Sequence, residues 1–148
     1  MADSLKVGIL TVSDTRTMET DSSGQYLADA AASAGHELVK REIEIDDLYR
    51  LRAVVSAWIA DPVVEVILVT GGTGFTSRDS TPEAIAPLPD TDITGFGELF
   101  RQISFSKIGT SAIQSRALAA LINTTYVFCL PGSKGACKDG WDEILLYQ

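Results

Sequence analysis

Between Thr70 and Glu83 the chain reads TGGTGFTSRDSTPE, and these are the residue types best suited to chemistry. Gly71, Gly72 and Gly74 let the backbone approach a ligand closely and turn successive N–H groups toward an anion. Thr70, Thr73, Thr76 and Ser77 add hydroxyls, and Arg78 adds a cation. Asp79 then places a carboxylate where a divalent metal can bridge it to phosphates. The same residues also describe a plain glycine-rich turn in which Asp79 or Ser80 only caps a helix, and spacing alone leaves both open. Two shorter segments have a similar character. Ser13-Asp14-Thr15-Arg16 with Asp21-Ser22-Ser23-Gly24 is either a ligand loop or a polar loop with Ser22 or Ser23 as cap. Pro131-Gly132-Ser133-Lys134 combines a turn, a helix N-terminus and a lysine, an arrangement that can seat an anion.

Known phosphate loops do not match. The Walker pattern needs Gly-Lys-Ser/Thr after its first glycine, and neither Gly71–Ser77 nor Gly132–Lys138 supplies it. The dinucleotide fingerprint needs a third glycine where Ser77 stands. A formal charge of -8 argues against nucleic acid as partner, because the phosphate backbone rewards basic surfaces. It also requires any anionic ligand to be held locally. Cys129 and Cys137 have no second pair, so no zinc framework forms, and both are expected as reduced, buried thiols. His36 follows Gly35 and is expected in a solvent-side turn. No apolar run of about 18 residues spans a membrane, and Met1–Lys6 does not read as a secretory signal. The expected location is the cytoplasm. A chain of 148 residues suits one domain, residues 1–148, around one core.

The elements that must carry these loops can be read from apolar pattern. Lys6–Val12 (KVGILTV) is a buried strand, and Tyr26, Leu27, Ala30, Ala31 and Ala34 make one helical face stopped by Gly35. Glu37–Ile45 reads as a strand nearer a sheet edge. Asp46 or Asp47 caps a helix with Leu48, Leu51, Val54, Val55, Trp58 and Ile59 inward, broken by Asp61-Pro62. Val63–Val69 is a strand running into the glycine loop, and Thr81–Ala86 a short helix with Pro82 in its first turn. Gly95–Ile103 and Ser111–Ile122 read as helices, Thr125–Leu130 as a strand, and Ser133 as the cap of a last helix. This alternation predicts an α/β fold, a three-layer arrangement of a mostly parallel sheet flanked by helices. The three polar loops would then leave carboxyl ends of strands, where such sheets bind ligands.

Taken in order, TGGTG, FTSRDSTPEA, GFGELFRQISF, GTSAIQSRALA and a strand ending in LPGS resemble the MoaB/MogA family of molybdenum-cofactor biosynthesis proteins. The resemblance runs from the SDTR loop to the last helix, and the GGTG-x4-D-x-TPEA run is its most specific part. GFGELFRQISF and IGTSAIQSRALA lie nearer MoaB. The resemblance implies a molybdopterin-binding fold and a homo-oligomer, hexameric in the MoaB branch and trimeric in the other. It implies adenylyl transfer in active members: the terminal phosphate of molybdopterin attacks the α-phosphate of MgATP, giving adenylylated molybdopterin and pyrophosphate. The alternative within the family is a catalytically silent molybdopterin-binding or carrier protein of the same pathway.

By the same resemblance Asp46 and Asp79 are the catalytic carboxylates and the Mg²⁺ ligands, although active members carry Pro-Asp where this chain has Ile45-Asp46. Paired carboxylates suit metal-assisted phosphoryl transfer, and neither has to act as a base because the attacking phosphate is already anionic. Ser13 and Asp14 would line the pterin or nucleotide side, and Gly71, Gly72, Thr73 and Gly74 with Arg78 would hold phosphate. Ser115 and Arg116 would point to the site from a helix, while Pro131, Gly132 and Ser133 would close it. Past the last helix the chain stops at Gln148, shorter than the resemblance leads one to expect, where a longer tail would carry oligomer contacts or a substrate contact.

Overall fold

A computed structural model describes residues 3–148. Its strands are β1 (Lys6–Val12), β2 (Glu37–Glu44), β3 (Val66–Thr70), β4 (Thr91–Asp92), β5 (Leu118–Ile122) and β6 (Thr125–Leu130). Its helices are α1 (Ser22–Ser33), α2 (Leu48–Ala60), α3 (Thr81–Ile85), α4 (Thr94–Ile108) and α5 (Lys134–Glu143), with 3-10 turns at Gly109–Gln114 and Leu145–Tyr147. The sheet order is β2-β1-β3-β6-β5-β4. β2, β1, β3 and β6 are parallel, and the β6–β5 and β5–β4 pairs are antiparallel.

The central strands are apolar because both their faces are covered, as parallel sheets require. On one face α1, α4 and α5 press Leu27, Ala31, Phe96, Phe100, Cys137 and Trp141 onto Val7, Ile9, Leu68 and Leu130. On the other, α2 and α3 press Leu51, Val55, Trp58 and Ile85 onto Leu10, Val12, Ile67, Val69 and Val127. Each fully buried side chain of this size contributes about 1.5–3 kcal/mol, so these two layers dominate the stability of the fold. The register sets Leu10 beside Val69 and Val69 beside Cys129, so β1, β3 and β6 end level with one another. Chain order reverses at β1, with β2 on one side and β3 on the other, and this switch point is where such sheets open a crevice.

Three expectations change. The strand expected at Val63–Val69 begins at Val66, because Asp61 ties the preceding residues into a turn. Its Oδ1 accepts from Val63 N at 2.9 Å and its carbonyl from Val64 N at 3.2 Å. The helix expected over Ser111–Ile122 does not form: a 3-10 turn ends at Gln114, Ser115 is extended, and Leu118–Ile122 is β5. Alanine-rich apolar runs of this length fit either period. What decides is the tight return into β6, with Asn123 at φ 57° and the sheet edge open to receive it. The helix expected to end at Ile103 continues to Ile108, and the short edge strand β4 had no readable signal.

The loops after β1 and β3 touch through glycine. Gly71 has φ +109°, and a Cβ added there would lie 2.3 Å from the Val12 carbonyl oxygen. Gly71→Ala is therefore expected to lower stability by about 1–3 kcal/mol, through both the positive φ and the clash. The check is a reduced urea midpoint with unchanged slope. A midpoint equal to that of the parent would refute the close approach of the two loops.

Candidate functional site

At the carboxyl ends of β1, β3 and β6 lies a cavity of about 350 Å³, lined by Thr11, Val12, Ser13, Asp14, Arg16, Asp46, Thr70, Gly71, Gly72, Arg78, Asp79 and Gly132. All three segments singled out in the sequence meet there. Their packing depends on missing side chains: a Cβ on Gly72 would come within 2.8 Å of Asp46 Oδ2, and one on Gly132 within 3.3 Å of Gly71 Cα. Gly72 is again at positive φ, +69°.

Asp46 is the deepest of the three carboxylates that line the cavity, with 6 % of its surface exposed. Helix α2 is capped not by it but by Asp47, whose Oδ1 accepts from Tyr49 N and Arg50 N, which leaves Asp46 free to face the glycine loop. Asp46 Oδ1 accepts from Ser80 N at 2.9 Å, and Asp46 N donates to Asp14 Oδ1 at 3.0 Å. Burial pushes the Asp46 carboxyl above the usual carboxylate range. Ser80 pulls the other way, and the nearby negative charges of Asp79 and Asp14 add to the upward shift.

Asp79 is half-buried on the glycine loop. Its Oδ2 accepts from Thr76 N at 2.9 Å and Thr76 Oγ1 at 2.6 Å. Burial works against its charge, but the hydrogen bonds from Thr76 outweigh that, with smaller help from the Gly74 N–H and the Arg116 charge, so its carboxyl lies below its ordinary range. Asp14, on the outside, is also held below that range, chiefly by hydrogen bonds from Arg78. Three aspartates and two arginines thus line one pocket. Gly71 and Gly72 of the glycine loop stand there beside a surplus of negative charge.

That combination suits a ligand whose phosphates arrive with a cation. No group of three or more His, Cys, Asp or Glu side chains among the described residues encloses a metal alone. Mg²⁺ needs no such cage, because it takes one or two carboxylates and completes its shell with water and phosphate oxygens. Asp46 and Asp79 fit that role: burial raises Asp46 most, and the smaller repulsion that Asp79 adds is what a cation there would relieve.

Other expected site residues serve the scaffold. Arg116 donates through Nε to Gly74 O at 2.8 Å and through NH2 to Asp79 O at 3.1 Å, and it pairs with Glu83. It and Ser115 stand on an extended segment rather than a helix and do not line the cavity. Arg116 therefore shapes the loop from behind, and the Ser115 hydroxyl is buried without a partner. Thr73 is buried, with its carbonyl accepting from Arg116 N. Ser13 Oγ accepts from Thr15 N and Arg16 N within its own turn, and Ser133 Oγ caps α5 at Ala136 N. Pro131 lies behind the cavity, its carbonyl accepting from Thr70 Oγ1 at 2.9 Å, so of the third loop Gly132 alone lines the pocket.

Sequence reasoning missed the buried support beneath the first loop. Asp21, rather than Ser22 or Ser23, caps α1, accepting from Gly24 N at 3.0 Å. Its Oδ2 accepts from Thr11 Oγ1 at 2.7 Å and faces Arg41 NH2 at 3.3 Å. Ser23 Oγ donates to Gly132 O at 2.6 Å, tying the first loop to the third. Both cysteines are free and buried, as expected, and burial pushes their thiols up to about 12 for Cys129 and about 11 for Cys137. His36 is not a plain solvent residue: its Nδ1 accepts from Leu5 N at 3.1 Å and its ring meets Trp141 edge-on.

Comparison with known proteins gives concordant matches. The family described as a "probable molybdopterin binding domain" matches residues 8–148. Molybdenum cofactor biosynthesis protein B of Escherichia coli K12 is 50% identical over 143 residues, covering 97% of this chain and 84% of that one. A crystal structure of a molybdenum cofactor biosynthesis protein B superposes with a TM-score of 0.94 at 44% identity, covering 98% of this chain and 91% of the other. The tungsten cofactor synthesizing protein MoaB from Pyrococcus furiosus gives 0.86 at 33% identity, with 98% and 92% covered. Among the described residues no helix is long and apolar enough to cross a membrane.

Proposed function

This chain belongs to the MoaB/MogA family of molybdenum-cofactor biosynthesis proteins, and from that premise we propose that it adenylylates molybdopterin with MgATP, releasing pyrophosphate. The observation that carries the proposal is the pairing of buried Asp46 with Asp79 across a glycine loop, in a pocket with more carboxylates than cations. Such a pocket repels a bare polyphosphate and accepts one neutralised by a divalent ion. The Gly72 backbone and the Arg78 guanidinium, both at the cavity wall, orient the phosphates. Asp46 and Asp79 would hold Mg²⁺, which offsets charge on the α-phosphate and on the leaving pyrophosphate. The terminal phosphate oxygen of molybdopterin forms the new P–O bond as the bond to pyrophosphate breaks, and no proton has to be removed. We extend the proposal to a homo-oligomer, hexameric rather than trimeric. The apolar end of α4 and the turn after it, where Phe105, Ile108 and Ile113 are 60%, 58% and 74% exposed, support association, and the MoaB-like segments GFGELFRQISF and IGTSAIQSRALA support the hexamer.

The decisive experiment mixes the protein with molybdopterin, ATP and Mg²⁺ and follows adenylylated molybdopterin and pyrophosphate. Turnover is expected, and ATP is expected to raise the melting temperature only when Mg²⁺ is present, by about 2.7 kcal/mol of added stability at 100 times the dissociation constant. Saturable molybdopterin binding with no product would instead make the protein a carrier in the same pathway.

A further inference from the structure

Asp14 and Arg78 face each other across the pocket rim, one from the loop after β1 and the other from the loop after β3. Arg78 NH2 lies 2.8 Å from both carboxylate oxygens and its Nε donates to Oδ2 at 3.0 Å, a bidentate pair bridging 64 positions of chain. The other two arginines near the site are committed elsewhere. Arg16 donates to Thr20 O at 2.7 Å and Ser22 Oγ at 3.0 Å. Arg116 is spent on Gly74 O, Asp79 O and Glu83. Among the described residues the Arg78 side chain has no hydrogen-bond partner but Asp14, and the two side chains are 60% and 40% exposed.

We propose that Asp14 is a clasp for Arg78, and that a phosphate ligand binds by taking the guanidinium over from this carboxylate. The proposal rests on the phosphate-binding reading of the pocket. Asp14 itself stays in place when Arg78 leaves, because Asp46 N still donates to its Oδ1. The exchange is favourable in direction. A water-exposed ion pair is worth at most about fivefold in an equilibrium constant, whereas a phosphate offers the same guanidinium a doubly charged, equally bidentate acceptor. The clasp therefore sets Arg78 at the rim and lowers affinity for weak anions, while a phosphate ester in the pocket overcomes it. Asp14 acts as a positioning residue, through Arg78.

The test is a double-mutant cycle on Asp14→Asn and Arg78→Ala, read by calorimetric titration with inorganic pyrophosphate in excess Mg²⁺ at fixed ionic strength. The amide introduced by Asp14→Asn keeps an oxygen for Asp46 N, and both positions are exposed, so folding is preserved; circular dichroism and melting confirm it. The expected result is about threefold to fivefold tighter pyrophosphate binding in Asp14→Asn, weaker binding in Arg78→Ala, and loss of the Asp14→Asn gain when Arg78 is absent. An undiminished gain in the Arg78→Ala background would overturn the clasp, because Asp14 would then act only as a repelling charge. Weaker binding in Asp14→Asn would overturn it too, since Asp14 would then be contacting the ligand. Either result leaves the phosphate pocket standing. Pyrophosphate that binds no variant would remove the clasp and the pocket reading together.

Discussion

Asp46→Asn is expected to be more stable than the parent at pH 7 and nearly inactive, whereas Asp79→Asn loses activity with a small loss of stability. In both, turnover should fall by about two orders of magnitude or more, because each removes one of two proposed ligands to a charge-neutralising cation. Their stabilities differ because their surroundings do. Asp46 has its pKa raised by burial, with Asp79 and Asp14 adding to it. Its ionised form is thus a burden on the folded state, one that develops as pH rises through the folded pKa and is absent below the unfolded value. The amide of Asp46→Asn keeps the acceptor for Ser80 N without the charge, so a gain of about 0.5–1 kcal/mol is expected. That gain is full at pH 7 and vanishes on acidification. Asp79 has its pKa lowered overall: burial opposes its charge, but hydrogen bonds from Thr76 outweigh it. Its contribution is present above the unfolded pKa and lost as pH falls through the folded one. Water reaches this loop, so the loss in Asp79→Asn is under about 1 kcal/mol. Urea midpoints at pH 7 and near pH 4, with steady-state rates, check both. A destabilised Asp46→Asn would mean its carboxylate is compensated in a way these contacts do not provide.

The contacts of Asp46 differ from those of a helix cap. A capping aspartate accepts from several helix N–H groups, as Asp47 does from Tyr49 N and Arg50 N. Asp46, one residue earlier, accepts a single backbone N–H and is crowded by like charge. The adjacent pair Asp46-Asp47 is ambiguous in sequence because either could cap. The fold divides the two roles, and the buried one is the residue that the family resemblance selects.

Much of the architecture was legible for a simple reason. KVGILTV, the run ending at Val69 and TYVFCL are apolar at nearly every position, which only strands covered on both faces require. Once these were parallel, the three polar loops had to meet at one edge. What could not be read followed from contacts distant in sequence. LAALI became a strand because an open edge beside β6 accepted it. Arg116, expected to face a ligand, instead binds carbonyls of the loop it follows by some forty positions, a role invisible in spacing. The Asp21–Arg41 pair had one signal, the glycine at position 24. A Cβ there would lie 2.1 Å from Asp21 Oδ2 and 2.5 Å from Thr11 Oγ1, so the D-S-S-G run marks a carboxylate buried against a helix start.

Asp21→Ala is expected to lower stability by about 3 kcal/mol, the largest single effect of any polar residue near the site. Asp21 is 1% exposed, and its carboxylate accepts from Gly24 N, Thr11 Oγ1 and Arg41 NH2. Its removal takes away the cap of α1, worth about 1 kcal/mol. It also strands a guanidinium whose Nε already lacks a partner and whose remaining hydrogen bond is to Gln25 Oε1 at 2.8 Å. A charge left behind in that way costs more than the pair contributed. This asymmetry supplies the control: Asp21→Ala combined with Arg41→Met should recover part of the loss, because the stranded charge is gone, whereas the missing cap is not restored. Asp21→Asn should fall between parent and alanine variant, retaining acceptors for Gly24 and neutralising the face toward Arg41. Urea unfolding of the four proteins at pH 7 reads these differences. Equal stabilities for Asp21→Ala and the double variant would show that the cost lies in the cap and not in the ion pair. A loss below about 1 kcal/mol in Asp21→Ala would show that the loop carrying Ser13, Asp14 and Arg16 is anchored by its own turns.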